Sequence, residues 1–285
     1  MIRFSRYLWV YAVISCLVLI PGIYSLIRFG FRPSIDFAGG SLVEYRTSAK
    51  VPLSEVTMAA KEIGMDVVSV QQSGDLAFIV RMKQATRQDV ATLTENIRKQ
   101  ASVSAAVMRN ETVGPVLGKE LLSKALSAAL LAVTAILAYV AWAFKNIRFG
   151  VAAVVALLHD LLVVLGSFSL FGHFLGVEVD TLFVTAFLTT MSFSVHDTIV
   201  VFDRIREYTK RDRNKSFEEI SDTALTETMN RSLTNSFTII FMLVALMLMG
   251  GETIKWFVVA LLIGTVSGTY SSPFVATPIL VWLEK

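Results

Sequence analysis

Two His-Asp pairs and one arginine interrupt the apolar parts of this sequence: His159-Asp160, His196-Asp197 and Arg231. An ionisable side chain inside an apolar run costs several kcal/mol to insert into lipid, so such residues are functional candidates. The chemistry open to these types is proton handling. Desolvation favours a neutral carboxyl and a nearby arginine favours a charged one, so a carboxylate that gains and loses arginine contact loads and releases a proton. Asp197 has polar company in Thr189, Thr190, Ser192, Ser194 and Thr198, and Thr190, Ser194 and Asp197 share one helical face. Arg231, Asn235 and Thr238 share a face of the following apolar segment. Two such half-helices would enclose a wet crevice in which Asp197 and Arg231 meet. The alternative is a static ion pair that fastens the helices together.

The other arrangements are weaker. Histidine is a residue type able to titrate near neutral pH, so His196 is either a proton-handling candidate or simply a hydrogen-bonding group. His159 and Asp160 are adjacent, so on a helix they point about 100° apart and cannot face one site equally. Asp160 is expected either to orient a neighbouring helix or to belong to a proton path. Adjacent His and Asp residues suit zinc poorly. Ser194, His196 and Asp197 lie too close along one helix to form a hydrolytic triad. Cys16 is the one cysteine, which excludes an intrachain disulfide and a cysteine metal cluster. Gly114 and Gly118 imitate a phosphate loop, but three residues separate them and Glu120 replaces the Ser or Thr after Lys119. With no nucleotide site, catalytic constellation or cofactor site in view, the chain is expected to be a non-enzyme that draws energy from elsewhere.

The elements that must position these residues are membrane helices. Of 285 residues, 54% are hydrophobic and 17% charged, against about 25% charged in an ordinary globular domain. The charge is also uneven: 21 of the 49 Lys, Arg, Asp and Glu lie between Arg32 and Glu120. This excludes a disordered, fibrous or simple soluble protein. Apolar stretches at about 7–29, 124–144, 149–171, 182–202, 233–249 and 256–283 are each long enough to cross a hydrocarbon core of ~30 Å. Pro273 and Pro278 are expected to kink or end the last. The first, behind Arg3 and Arg6, continues past Cys16 to Leu26, too far for a cleaved signal, and is expected to remain as an anchor. Basic residues Lys145 and Arg148, then Arg204, Arg206, Lys210, Arg211, Arg213 and Lys215, mark one side, placing both termini in the cytoplasm and residues 32–120 on the outer face. The mild net charge of +3 fits such topogenic residues and not nucleic-acid binding.

Residues 32–120 change period. Strands are predicted at 41–47, 67–72, 76–82 and 104–113, with a Ser73-Gly74-Asp75 turn. Helices are predicted at 53–63, with Ser54 as its cap, and at 87–101, with Val90, Leu93, Thr94 and Ile97 on one face. The order β-α-β-β-α-β is the split, ferredoxin-like pattern. The expected fold is thus a polytopic α-helical membrane protein with six transmembrane helices and an α+β ferredoxin-like outer domain. Residues 1–31 form the first helix and residues 121–285 a five-helix domain. Its loop, 203–230, is expected to be an amphipathic surface helix with Ser216 and Glu219 as a capping box.

Several stretches resemble one family. Ser34-Ile35-Asp36-Phe37-Ala38-Gly39-Gly40 resembles the signature after the first span of SecF, a subunit of the bacterial Sec translocation accessory complex. Val113-Gly114-Pro115 through Glu120, the His159-Asp160 pair and the segment from His196 to Glu207 resemble further motifs. Asn230-Arg231-Ser232, Asn235-Ser236 and the run from Gly268 to Ser272 match the last two spans. Two positions depart: Ser34 stands where the family usually has Gly, and His196 where many members have Asn. The resemblance implies a resistance-nodulation-division fold of the inner membrane. It implies pairing with SecD, assistance to SecYEG in drawing out unfolded preproteins, possible association with YajC, and the proton gradient as energy source. It places Asp197 and Arg231 in proton transport. Two alternatives stand beside it: a stand-alone proton-coupled exporter of the same superfamily, and a scaffold subunit that does no coupling.

Overall fold

A computed structural model of the chain describes residues 4–144, 146–212 and 214–284. Arg3, Lys145 and Arg213, counted above among the basic residues, lie outside them. In chain order the helices and strands are α1 (Leu8–Arg28), α2 (Ile35–Ala38), β1 (Gly40–Thr47), α3 (Leu53–Glu62), β2 (Val67–Gln72), β3 (Ala77–Met82), α4 (Arg87–Ala101) and β4 (Ala105–Val113). Then follow α5 (Pro115–Phe144), α6 (Ile147–Leu175), α7 (Thr181–Arg211), α8 (Phe217–Met249), α9 (Glu252–Ser271) and α10 (Thr277–Glu284). The chain divides into two compact units, Pro33–Leu126, and Met1–Arg32 with Ser127–Lys285.

In the first unit the strand order is β2-β3-β1-β4, every neighbouring pair antiparallel. Each helix-connected pair is therefore separated by one strand, as a split β-α-β pattern requires. Val43, Tyr45, Phe78 and Val80 from the sheet meet Val56 and Ala60 of α3 and Leu93 and Ile97 of α4 in one core. Val90, Leu93, Thr94 and Ile97 are the buried residues of α4, because its apolar positions recur at helical spacing. A capping box starts α4: the Asp89 N–H donates to the Thr86 hydroxyl at 3.2 Å and the Thr86 N–H to Asp89 Oδ2 at 2.8 Å. The expected Ser54 cap is not one. Pro52 holds the N-cap position of α3, and Ser54 lies inside the first turn, where Pro-imposed φ has already set the helix start.

The Asp36-containing signature folds into α2 and the turn after it. Ser34 caps α2 by accepting from the Asp36 N–H at 3.2 Å. Gly39 and Gly40 have φ of 74° and 126°, in the left-handed region. A Cβ on Gly39 would meet Pro115 Cα at 2.8 Å, and one on Gly40 would meet the Met82 carbonyl oxygen at 2.8 Å. The paired glycines thus let three backbone segments pass at contact distance, and neither position admits a side chain.

Among the described residues, six helices are long and apolar enough to cross a membrane: α1, α5, α6, α7, α8 and the run from α9 through α10. Ala152, Ala156, Leu157, Val164 and Phe168 of α6 pack with Phe183, Ala186, Met191 and Phe202 of α7 in the core. Small residues let backbones approach. Gly22 of α1 abuts Gly166 of α6, beside a 2.8 Å contact between the Ser25 and Ser169 hydroxyls. On α9, Gly264 lies under Thr190 and Gly268 under Ser194, and the Ser272 and Thr198 hydroxyls sit 3.0 Å apart.

Two expectations about these helices change. The loop helix is not separate: its capping box of Ser216 and Glu219 exists, but the helix runs unbroken from Phe217 to Met249. No Gly or Pro lies between those residues, so nothing ends the helix where its polarity changes. The last span does not stop at its prolines. A π-helical turn, Ser272–Ala276, takes up Pro273, and the helix resumes through Glu284.

Candidate functional site

Two long helices make the site. Asp180 caps α7, its Oδ1 accepting from the Phe183 N–H at 2.7 Å, and Ser216 caps α8. Near the loop that joins them, Arg204 binds both Glu227 and Glu207. The Tyr208 hydroxyl donates to Glu227 at 2.7 Å, and Arg204 and Arg211 lie over the Tyr208 ring at 4.9 and 4.5 Å. This clasp fixes the loop end of the α7–α8 pair.

Deeper along the pair, side chains of opposite polarity face a crevice of about 480 Å³. Its lining includes His196, Asp197 and Val200 from α7 with Arg231, Asn235 and Thr238 from α8. Asp197 is half-buried there. Ser232 and Arg231 of α8 line the crevice with it. A second crevice, of about 490 Å³, shares Val200 and Arg231 with the first and continues past Asp203, Glu207 and Glu227. A polar lane therefore runs from the loop end of the two helices down to Asp197.

Thr190 and Ser194 are not in that lining. Thr190 is packed on Gly264, with its hydroxyl on the Phe187 carbonyl at 2.9 Å. Ser194 serves a different carboxylate, Asp160. Three serine hydroxyls donate to it at 2.6 Å each: Ser194 from α7 and Ser267 and Ser271 from α9. His159 Nδ1 lies 3.0 Å from the same carboxylate. Asp160 is 4% exposed. It is the point where α6, α7 and α9 are tied, and it lies outside the Asp197 crevice. Ser267 and Ser271 were not predicted as partners. The readable trace was the Gly264, Gly268 and Ser272 spacing, which marks a close-packed helix face, with these serines beside it. Groups of three or more His, Cys, Asp or Glu able to hold a metal ion are absent among the described residues.

With the geometry in hand, the comparisons are concordant. The family described as "Protein export membrane protein SecD/SecF, C-terminal" matches residues 93–285, and the "SecD/SecF GG Motif" matches residues 24–51, which contain Gly39 and Gly40. The chain is 40% identical to the protein translocase subunit SecF of Thermobaculum terrenum, over 100% of this chain and 95% of that one. It is 38% identical to the SecF subunit of Anaerolinea thermophila, over 99% and 93%. The crystal structure of SecDF, a translocon-associated membrane protein from Thermus thermophilus, superposes with a TM-score of 0.89 at 30% identity. That match covers 100% of this chain and 39% of the SecDF chain. SecDF in a super-membrane-facing form gives 0.70 at 31% identity, over 98% and 38%.

Proposed function

The chain belongs to the SecD/SecF family of protein-export membrane proteins, and from that premise we propose that it couples proton movement through the Asp197 crevice to preprotein export. Full-length likeness to curated SecF subunits makes it a SecF-like accessory subunit of protein export. The stand-alone exporter reading is not favoured, because the relatives matched end to end are translocase subunits.

The observation that carries the coupling is that Asp197 and Arg231 line one crevice, adjoined at Val200 and Arg231 by a second that reaches Glu207 and Glu227. An arginine cannot be deprotonated under working conditions, so it acts as the fixed charge and Asp197 as the exchanging group. When α8 holds Arg231 close, the carboxylate is favoured. When the helices part, the neutral acid is favoured. A membrane potential supplies about 2.3 kcal/mol per 100 mV for each charge moved across it. His196, exposed on the crevice wall, sets an imidazole beside Asp197. His159 and Asp160 serve this reading by holding α7 against α6 and α9.

The partners follow from the same reading. This chain spans 39% of the SecDF chain it superposes on. SecD is the partner, SecYEG the channel served, unfolded preprotein the load and YajC a further associate. Both termini and the basic loop after α7 face the cytoplasm, and residues 32–120 face outward.

The test is substitution in the SecD-containing complex. Asp197→Asn and Arg231→Met each abolish proton-dependent export while the complex still assembles. Normal export by Asp197→Asn sinks the proton role.

A further inference from the structure

Threonines in the long helices of this protein satisfy their hydroxyls on their own backbone. Thr134, Thr185, Thr189, Thr209, Thr238 and Thr269 each donate to the carbonyl four residues earlier, at 2.7–3.0 Å. This bond is available to any helical threonine. Thr265 forgoes it. The residue is 4% exposed, and its hydroxyl is buried with no hydrogen-bond partner. Buried polar groups are nearly always paired, so a hydroxyl turned away from its ready acceptor implies another partner.

What it faces identifies that partner. Thr265 lines a cavity of about 20 Å³ together with Asp197 of α7, Asn235 and Ser236 of α8 and Gly268 of α9. A water molecule needs roughly 10–15 Å³ of such space and two to four polar partners. The cavity meets the first condition for one water. Thr265, Asp197 and Asn235, all in its lining, carry polar groups for the second. The cavity shares His196, Asp197 and Asn235 with the open crevice but reaches past them to α9. Its far wall is closed by the Ser236 and Thr269 hydroxyls, 2.6 Å apart.

We propose that this cavity is a binding site for a single water molecule, held between the Thr265 hydroxyl and the Asp197 carboxyl, which gives Asp197 a second wet contact on the side away from the crevice. The inference rests on the proton-exchanging reading of Asp197. In the neutral state the Asp197 O–H donates to the water. On deprotonation that proton moves to the water oxygen. The resulting hydronium returns a proton to the carboxylate when Asp197 becomes neutral again, and the water is left neutral. Only O–H bonds form and break, and Thr265 is unchanged throughout. Thr265 is thus a positioning residue that acts through the water.

The experiment uses the complex with SecD in lipid vesicles and H₂¹⁸O as the probe. Isotope-edited infrared difference spectra between protonated and deprotonated states should show one strongly hydrogen-bonded water band that shifts with H₂¹⁸O. Thr265→Val keeps the shape and removes the hydroxyl; Thr265→Ser keeps the hydroxyl. The band should vanish in Thr265→Val and persist in Thr265→Ser. Proton-driven export should slow on the order of tenfold or more in the valine variant and stay near native in the serine variant. Persistence of the band in Thr265→Val, or its absence in the native complex, overturns the water site. Equal export by the native and valine complexes also overturns it. Normal export by Asp197→Asn with a Thr265-dependent band overturns the proton reading instead and leaves the water in place.

Discussion

Asp160 and Asp197 are both carboxylates in apolar helices, yet their surroundings differ in kind. Three serine hydroxyls donate to Asp160, and the residue is sealed from solvent. Asp197 is half-buried and lines two cavities. The first arrangement ties helices together; the second leaves its carboxyl facing open space, as the proposed exchange requires. Removing the Asp160 carboxylate orphans three buried serine hydroxyls, and an unsatisfied buried group costs about 1–3 kcal/mol. Asp160→Ala is therefore expected to destabilise the membrane unit by roughly 2–5 kcal/mol, below the simple sum because some serines find backbone acceptors. Thermal unfolding of the purified complex checks this. Asp197→Ala should unfold close to the native temperature, and the reverse ranking would overturn the division of roles. The sequence displayed both acids, because an ionisable residue in an apolar run is conspicuous. It did not display the Asp160 cage. Serines at 194, 267 and 271 lie up to 111 residues away from it, and a serine in an apolar helix satisfies itself on its backbone as readily as on a partner. Thr190 and Ser194 share the angular face of Asp197, but the close seam with Gly264 and Gly268 claims that face for α9.

At the scale of elements, legibility followed periodicity. Helix α4 occupies the expected residues, and its buried positions are the apolar ones at helical spacing. Helix α8 starts earlier than its apolar run, because a change of polarity is not a helix boundary. Polarity reports depth in the membrane, whereas helix ends need a cap or a breaker, and between Ser216 and Gly250 the first stop is Gly250. The consequence is mechanical. Arg231 and the loop-end clasp at Glu227 ride on one continuous rod, so movement at the loop is transmitted to the crevice without a hinge. The capping box of α4 carries a separate, pH-linked expectation. The Thr86 N–H, and then the Thr86 hydroxyl, hold the Asp89 carboxyl below the usual carboxylate range. A carboxylate whose folded value is lowered stabilises the fold above its unfolded value, and the gain is lost as pH falls through the lowered one. Asp89→Asn should therefore speed amide exchange in residues 87–101 of the intact protein near neutral pH. The difference from native should shrink as pH falls below about 3.9. A difference that grows on acidification would contradict the assignment.

At the scale of the whole molecule, what a proton does at Asp197 depends on which side of the membrane the polar lane faces. The lane passes Asp203, Arg204, Glu207 and Glu227 near the α7–α8 loop, and that loop region carries Lys210, Arg211 and Lys215. Short loops rich in Lys and Arg stay in the cytoplasm. On the proposed topology the lane opens to the cytoplasm, and protons driven inward by the potential would leave along it after unloading from Asp197. An even number of helices separates this loop from both termini, whereas one helix, α1, separates the N-terminal end from the β-rich unit. The loop and that unit are then expected on opposite faces of the membrane. Cys16 is the one native cysteine, so Cys16→Ser gives a background for single-cysteine labelling. Asp75→Cys, at the exposed turn between β2 and β3, should react with a membrane-impermeant maleimide on spheroplasts whose inner membrane is intact. Asn214→Cys, in the α7–α8 loop, should react only after that membrane is opened. The reverse pattern would invert the lane, and inward-driven protons would then reach Asp197 through the crevice instead of leaving by it.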